Sequence, residues 1–260
     1  CDYGRTNITL QERQNIILPL FATRCNMEIK IGIAQANKYA VQECGDSVEL
    51  AERPQGGISV ILADGQGSGK AASITSRAVV NKAAALIADG ARDGAVARAV
   101  HDYLYVLKDG KVSSTLTIIS ADLDSQTVVF CRNSNCPVLI KQSYGIDSYD
   151  QEVNPIGVHK RTKPLMYEMP LDLGMILVSY SDGIQAAGRK RGKTINPDMI
   201  TKIIEENEPS DAAFIAESIL EYALDLDDYR PGDDMTVVVM GIDDKEVSHK
   251  IKRIAASYPV

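Results

Sequence analysis

Ile58-Ser59-Val60-Ile61-Leu62-Ala63-Asp64-Gly65-Gln66-Gly67-Ser68-Gly69-Lys70 runs from an apolar stretch, through one acid, into a glycine-rich loop. The apolar part predicts a buried strand over 58–63. The residues after the loop repeat Val79, Val80, Ala83, Leu86 and Ile87 at helical spacing, which predicts a helix over about 69–89. An acid at the end of a buried strand, followed by bare glycines, sets a carboxylate and accessible carbonyl oxygens where an ion can approach closely. The pattern recurs at Tyr180-Ser181-Asp182-Gly183, after Met175-Ile176-Leu177-Val178, and at Gly232-Asp233-Asp234, before Met235-Thr236-Val237-Val238-Val239-Met240. Acids at strand ends without His or Cys beside them suit a hard cation held by oxygen.

The loop fits none of three generic motifs. A phosphate-binding loop would need Gly at Asp64 and Ser or Thr at Ala71. The dinucleotide fingerprint G-x-G-x-x-G fails at Lys70, and an EF-hand would need later acids and a closing Glu. Taken alone, the loop reads equally well as a tight strand-to-helix turn with Asp64 as N-cap.

Bulk properties narrow the function classes. The 260-residue chain is 45% hydrophobic, enough for a core, and lacks Trp, so that core is aliphatic. A net charge of -7 argues against a nucleic-acid partner, which would demand clustered Lys and Arg. The 5 cysteines are scattered, with no C-x-x-C pair, and read as free thiols in a reducing, cytoplasmic setting. The 3 histidines lie far apart and read as structural or solvated. The run Ile16–Phe21 contains Pro19 and is too short to span a bilayer, so no membrane contact is expected within this chain.

Further strands are expected over 27–35, 46–52, 114–120, 127–131, 138–141, 165–171, 175–179 and 235–242. A second helix should turn Val96, Val100, Tyr103, Leu104 and Leu107 inward. A third is capped by Asn196 with Pro197 at its first position and buries Met199, Ile200, Ile203 and Ile204. A fourth is capped by Ser210, with Ile215, Ala216, Ile219, Leu220 and Ala223 inward. Many antiparallel-looking strands with helices inserted in pairs predict an α+β fold, an antiparallel β-sandwich flanked by helices.

The segments Glu43-Cys44-Gly45-Asp46-Ser47, Asp64 to Gly69, Leu177 to Gly183 and Gly232 to Val237 stand in the order of the PPM (PP2C-like) metal-dependent protein phosphatases, and the loop D-G-x-G-x-G-K-x-A is similar to that of the bacterial SpoIIE-type branch. Arg132-Asn133-Ser134-Asn135-Cys136-Pro137 resembles the branch's A-N-A-G-H-P turn, and Pro155-Ile156-Gly157-Val158 its P-L-G-V. The resemblance implies α/β/β/α layers and two Mn²⁺ or Mg²⁺ ions. By the same resemblance Asp64 bridges both ions, the Gly65 carbonyl binds one, Asp182 and Asp233 hold the other, and Asp46 supports it directly or through water. Asp64 and Asp182 are the implied catalytic residues, acting through a metal-activated water. Like-charged ligands this close should leave the site poorly formed without its ions.

The implied activity is hydrolysis of phosphoserine or phosphothreonine on a phosphorylated regulatory protein, such as an anti-sigma-factor antagonist. A catalytically weak pseudophosphatase acting as an interaction module, and a two-metal phosphodiesterase, are the alternatives. Gln66 stands where related eukaryotic enzymes often carry His, and Cys136 where the branch's turn has His. The expected organisation is an N-terminal extension over 1–26, a phosphatase domain over 27–243 and a basic amphipathic tail over 244–260. Val247, Ile251, Ile254 and Ala255 fall on one helical face of that tail, compatible with packing on the domain, homodimer pairing or partner docking. Arg189, Lys190, Arg191 and Lys193 follow Asp182 closely and should form an electropositive flap at the metal rim.

Overall fold

The computed structural model describes residues 27–244 and 252–257. The expected N-terminal extension lies outside the described residues, as do Val247 and Ile251 of the expected tail face. Residues 252–257 have no regular secondary structure, and Ile254 there is exposed rather than on a packed helical face.

The body, Ile29–Asp243, is built on two five-stranded sheets. Strands β1 (Met27–Ala36), β2 (Asp46–Glu52), β3 (Gly57–Asp64), β4 (Leu116–Asp122), β5 (Thr127–Asn133), β6 (Val138–Gln142), β7 (Gly145–Tyr149), β8 (Leu165–Pro170), β9 (Ile176–Tyr180) and β10 (Met235–Asp244) are ordered β1-β10-β9-β6-β7 in one sheet and β2-β3-β4-β5-β8 in the other. The helices are α1 (Lys70–Ala88), α2 (Asp93–Leu107), the single turn α3 (Asp182–Gln185), α4 (Pro197–Glu205) and α5 (Ala212–Leu226).

Strand alternation explains the layers. Ile61 and Ala63 of β3 pack with Val79, Val80, Val96 and Val100 of α1 and α2. Val60 and Leu62, also buried, point to the opposite face by the period-2 rule. Val178 of β9 and Val237 of β10 pack instead with Ile200 of α4 and Ile219 of α5. Phe130 of β5 and Tyr167 of β8 meet Tyr149 of β7 in the other sheet, with ring centroids 4.6–5.0 Å apart. Each sheet is thus covered by helices outside and by its partner inside, the α/β/β/α arrangement of the expected sandwich. Covering on both faces is why β3, β4, β9 and β10 are mostly apolar and buried along most of their length.

Several local readings need correction. The inward arc of α2 is Val96, Ala97, Val100, His101 and Leu104, while Tyr103 and Leu107 fall off it and are exposed. On α4 only Ile200 and Ile204 are fully buried, because the contact arc is narrower than the apolar stripe. Ser210 does not cap α5. Pro209 starts a 3-10 turn there, closed by a capping box between Glu208 and Asp211, and that turn shifts the helix start to Ala212. Strand β7 escaped notice because it is a half-polar edge strand paired only with β6. Asn196 does cap α4, accepting the Asp198 N–H at 3.0 Å.

A buried polar knot ties the start of α2 to its sheet. Arg53 pairs with Asp93 at 3.1 Å and with Asp122 at 3.1 Å, and Ser59 and Ser120 share a hydrogen bond of 2.6 Å beside them. Removing Asp93 leaves Arg53 with Asp122 alone, at the more open end, and takes away the buried half of its compensation. Asp93→Ala is expected to cost about 3 kcal/mol or more in urea unfolding, and Asp122→Ala, at the more open end of the knot, distinctly less. Equal losses would mean that the knot has no buried end.

Candidate metal centre

Asp46 opens β2 and lies directly opposite Asp64, the last residue of β3, in the antiparallel register. Asp182 follows β9, and Asp233 lies in the turn entering β10. The strands of the two sheets therefore deliver acids to one end of the sandwich. Hydroxyl groups fasten those ends. Thr236 Oγ1 donates to Asp46 Oδ2 at 2.6 Å, the Thr236 N–H donates to Ser181 Oγ at 2.9 Å, and the Ser181 N–H donates to the Thr236 carbonyl at 2.9 Å. At Asp64 the main-chain N–H donates to Thr115 Oγ1 at 3.1 Å, and its carbonyl accepts from Ser114 Oγ at 2.7 Å.

Asp64, Gly65, Gln66, Asp182 and Asp233 line one cavity of about 400 Å³, with Ser113 to Thr115 along its side. Asp46 stands behind it, buried. The glycines after two of the acids are required by close approach. A Cβ on Gly65 would stand 2.2 Å from the Ala72 carbonyl oxygen, and one on Gly183 2.0 Å from that of Asp234. Helix α1 is capped by Gly69, at φ 65°, so the alternative of Asp64 as N-cap does not hold and its carboxylate is free to face the cavity.

The neighbours Asp233 and Asp234 have different surroundings. Asp234 is buried and braces the loop before β2, accepting the N–H groups of Lys38 and Gly45, each at 2.9 Å. Asp233 lines the cavity and meets Lys38 Nζ at 3.5 Å. Among the described residues, no three His, Cys, Asp or Glu side chains converge tightly enough to hold an ion as they stand. The donor set is all oxygen and suits Mg²⁺ or Mn²⁺.

The electrostatics show what such a set costs without a cation. Asp64 is pushed far above the ordinary carboxylate range by burial first, then by the charges of Asp46, Asp182, Asp233 and Asp234. Burial also raises Asp46, against hydrogen bonds from Thr236 and Ser181, with Asp234 and Asp182 adding to the rise. Asp182 is raised by partial desolvation and then by Asp233, while Arg189 pulls the other way. A bound cation would replace those protons and offset the repulsion.

The resemblance marks the 132–137 turn and Pro155, but not their place as walls beside the cavity. Arg132, fully buried, donates through Nη1 to the carbonyls of Ser134 at 2.7 Å and Cys136 at 3.0 Å, shaping the turn beside Asp182. Its signal was a cation inside an apolar strand. Burial, then the charges of Asp182, Asp64 and Asp46, hold the Cys136 thiol up at about 12. His101 is structural, as expected, its Nδ1 accepting the Gly157 N–H at 3.1 Å. The basic segment is less free than a flap. Lys190 Nζ donates to the Gly232 carbonyl at 3.0 Å, and Arg191 and Lys193 pair with Asp228 at 2.9 and 3.4 Å. Gln66 is held at the cavity edge, its Oε1 accepting the Ser113 N–H at 2.8 Å.

The family described as Stage II sporulation protein E (SpoIIE) matches residues 54–243. Stage II sporulation protein E of Bacillus subtilis (strain 168) is 24% identical over 225 residues, covering 86% of this chain but 27% of that protein. The chain thus spans about a quarter of that relative's length. The PP2C phosphatase domain of the same protein, solved with a fragment of its regulatory domain, superposes with a TM-score of 0.73 at 24% identity, over 85% of this chain and 65% of that one. Phosphoserine phosphatase RsbU of the same organism is 22% identical over 228 residues, 87% of this chain and 68% of its own. The catalytic domain of the serine threonine protein phosphatase PstP, in complex with 2 manganese ions, superposes with a TM-score of 0.65 at 17% identity, over 84% of this chain and 100% of that one. The structural likenesses show a shared fold.

The raised Asp64 carboxyl gives a test that needs no activity. The folded protein keeps a proton there that the unfolded chain releases above about pH 4. In chelator, wild-type stability should therefore fall as pH rises from that range through neutrality. Asp64→Asn keeps the size and removes the charge, so it should melt above wild type by a margin that grows between pH 5 and pH 8. A margin that stays constant or shrinks would mean that neither burial nor the neighbouring acids raise the Asp64 carboxyl.

Proposed function

The chain belongs to the SpoIIE family, and from that premise we propose that it is a metal-dependent protein serine/threonine phosphatase. Its substrate is a phosphoserine or phosphothreonine on a phosphorylated regulatory protein, such as an anti-sigma-factor antagonist. The observation that carries the reading is the meeting of Asp64, Gly65, Asp182 and Asp233, from separate strand ends, on one cavity. RsbU, by its name, acts on phosphoserine, and PstP was solved with manganese.

In this reading Asp64 and the Gly65 carbonyl would hold one Mn²⁺ or Mg²⁺, and Asp64, Asp182 and Asp233 would hold a second, with Asp46 supporting it directly or through water. The two ions would supply an activated water in line with phosphorus and neutralise phosphoryl charge. The chain's own residues set the rest. The Thr236–Asp46 and Ser181–Thr236 bonds fix where the carboxylates stand before substrate arrives. Gln66 has no ionisable proton, so the leaving oxygen must take its proton from water or another group. Slow turnover is expected on serine phosphates, whose leaving groups are poor, relative to aryl phosphates. Arg189, whose charge reaches Asp182, makes no ion pair with the described residues and is the cation of the basic segment that would meet an acidic partner surface. Cys44, Cys131 and Cys136 are free thiols, which fits a cytoplasmic setting, and no described helix is long and apolar enough to cross a membrane.

Hydrolysis of an aryl phosphate with Mn²⁺, abolished by chelator, is the direct test. Asp182→Ala or Asp233→Ala should lower it by about two orders of magnitude, partly restored by excess Mn²⁺. Near-wild-type turnover of either at low metal would overturn the ligand assignment.

Asp234→Ala should behave differently. It leaves the Lys38 and Gly45 N–H groups without their acceptor, which costs about 1–3 kcal/mol for each group left unsatisfied. Thermal melts and Mn²⁺ titration should separate the two positions. Stability is expected to fall with Asp234→Ala, and metal affinity with Asp233→Ala. The reverse pattern would exchange their roles.

A further inference from the structure

A second, smaller pocket of about 140 Å³ opens beside the metal-facing cavity and shares Thr115, Pro155 and Asp182 with it as a common wall. Its far side is the turn Asn133–Cys136 together with Gln185. We infer that this pocket receives the residue next to the phosphorylated one in the substrate and selects a small side chain without negative charge there. The inference rests on the phosphatase reading above and adds a recognition element to it.

Position comes first. Neighbouring residues of a peptide are about 3.8 Å apart, so a chain with its phosphate in the larger cavity puts an adjacent residue at the shared wall. Size comes next. The pocket is comparable to a cavity of about 150 Å³ that holds one benzene ring, which leaves no room for an indole. Charge follows. No Lys, Arg or His lines the pocket while the Asp182 carboxylate does, so an entering carboxylate would lose its water beside a like charge that no lining side chain offsets.

The hydrogen-bonding inventory shows what the walls offer. Asn135 Oδ1 accepts the Val153 N–H at 3.0 Å, and Gln185 Oε1 accepts the Cys136 thiol at 3.3 Å. Both carbonyl oxygens are thereby assigned, and both amide NH₂ groups are without a protein partner among the described residues. Two fixed NH₂ donors beside a narrow pocket suit the carbonyl oxygens of an extended peptide. The turn that carries Asn135 and Cys136 is held by buried Arg132 through the Ser134 and Cys136 carbonyls, so these walls are placed in advance.

The test uses the full chain loaded with Mn²⁺ and two series of phosphoserine peptides, varied on one side of the phosphoserine at a time. Gly, Ala or Ser next to the phosphoserine should give kcat/KM at least about tenfold above Trp or Glu on one of the two sides. Gln185→Ala enlarges the pocket and should narrow the gap between Ala and Trp severalfold. Asn135→Leu removes an NH₂ donor and should raise KM for peptides more than it lowers kcat. The Ala-to-Trp ratio is internal to each variant, so loss of folded enzyme does not disturb it. If p-nitrophenyl phosphate is hydrolysed but flanking residues make no difference, the pocket has no such role and the phosphatase reading stands. A wild-type preference that neither variant alters would place its source elsewhere and overturn the inference. If neither p-nitrophenyl phosphate nor any peptide is hydrolysed, both readings fall together.

Discussion

Like-charged carboxylates held at one end of the sandwich are the constraint around which this molecule is arranged. Asp64 stands opposite Asp46 in the β2–β3 ladder, and Asp182, Asp233 and Asp234 also act on it electrostatically. Burial first, and their repulsion after it, favour taking up protons, which raises the Asp64 and Asp46 carboxyls. What opposes dispersal is backbone. Asp46 and Asp64 are fixed by sheet register, and Asp182 and Asp233 by strands of the opposite sheet. The Ser181–Thr236–Asp46 hydrogen bonds reach across from β9 and β10 to β2. Rigid strands buried on both faces suit that duty, because they cannot relax without opening a core.

The same need for closeness explains residues that carry no charge. Gly65 and Gly183 are places where a side chain would collide with the carbonyl of Ala72 or Asp234. The backbone beyond each acid can therefore pack against the neighbouring segment. Asp234 contributes by holding loops rather than by lining the cavity. Its carboxylate is committed to the Lys38 and Gly45 amides, which draws the loop before β2 against the turn before β10. Adjacent acids thus divide two tasks, one facing the cavity and one holding the loops that frame it.

Away from the acids, buried cations organise the walls. Arg132 gathers carbonyls of the 133–136 turn, and Arg53 joins the start of α2 to the β2–β3–β4 side of its sheet. The basic segment after α3 is similarly structural in part. Lys190 ties to Gly232, and Asp227 accepts the N–H groups of both Gly188 and Gly232 at 2.9 Å, linking that segment to the turn that carries Asp233. Charges that look like a solvated run in sequence are largely spent on holding two loops together.

The sequence by itself determined the layered fold and the acidic motifs. Runs such as Ile58–Leu62, apolar but for Ser59, and Val237–Met240 are largely apolar because their strands are covered on both faces, and the helices carry their apolar positions at helical spacing. Asp64 and Asp182 stand out because an acid closing such a run followed by Gly is unusual. The tertiary structure alone separated Asp233 from Asp234, because that depends on which carboxylate finds the amides of Lys38 and Gly45, far away in the chain. It alone showed that Ser210 yields the start of α5 to a 3-10 turn, and that β7 pairs at an edge where no apolar pattern is required. It also decided that Asn135 and Gln185 wall one pocket next to Asp182. Burial and spacing along one element are local properties and leave a periodic trace. Which polar groups meet across elements depends on packing between distant segments, and leaves none.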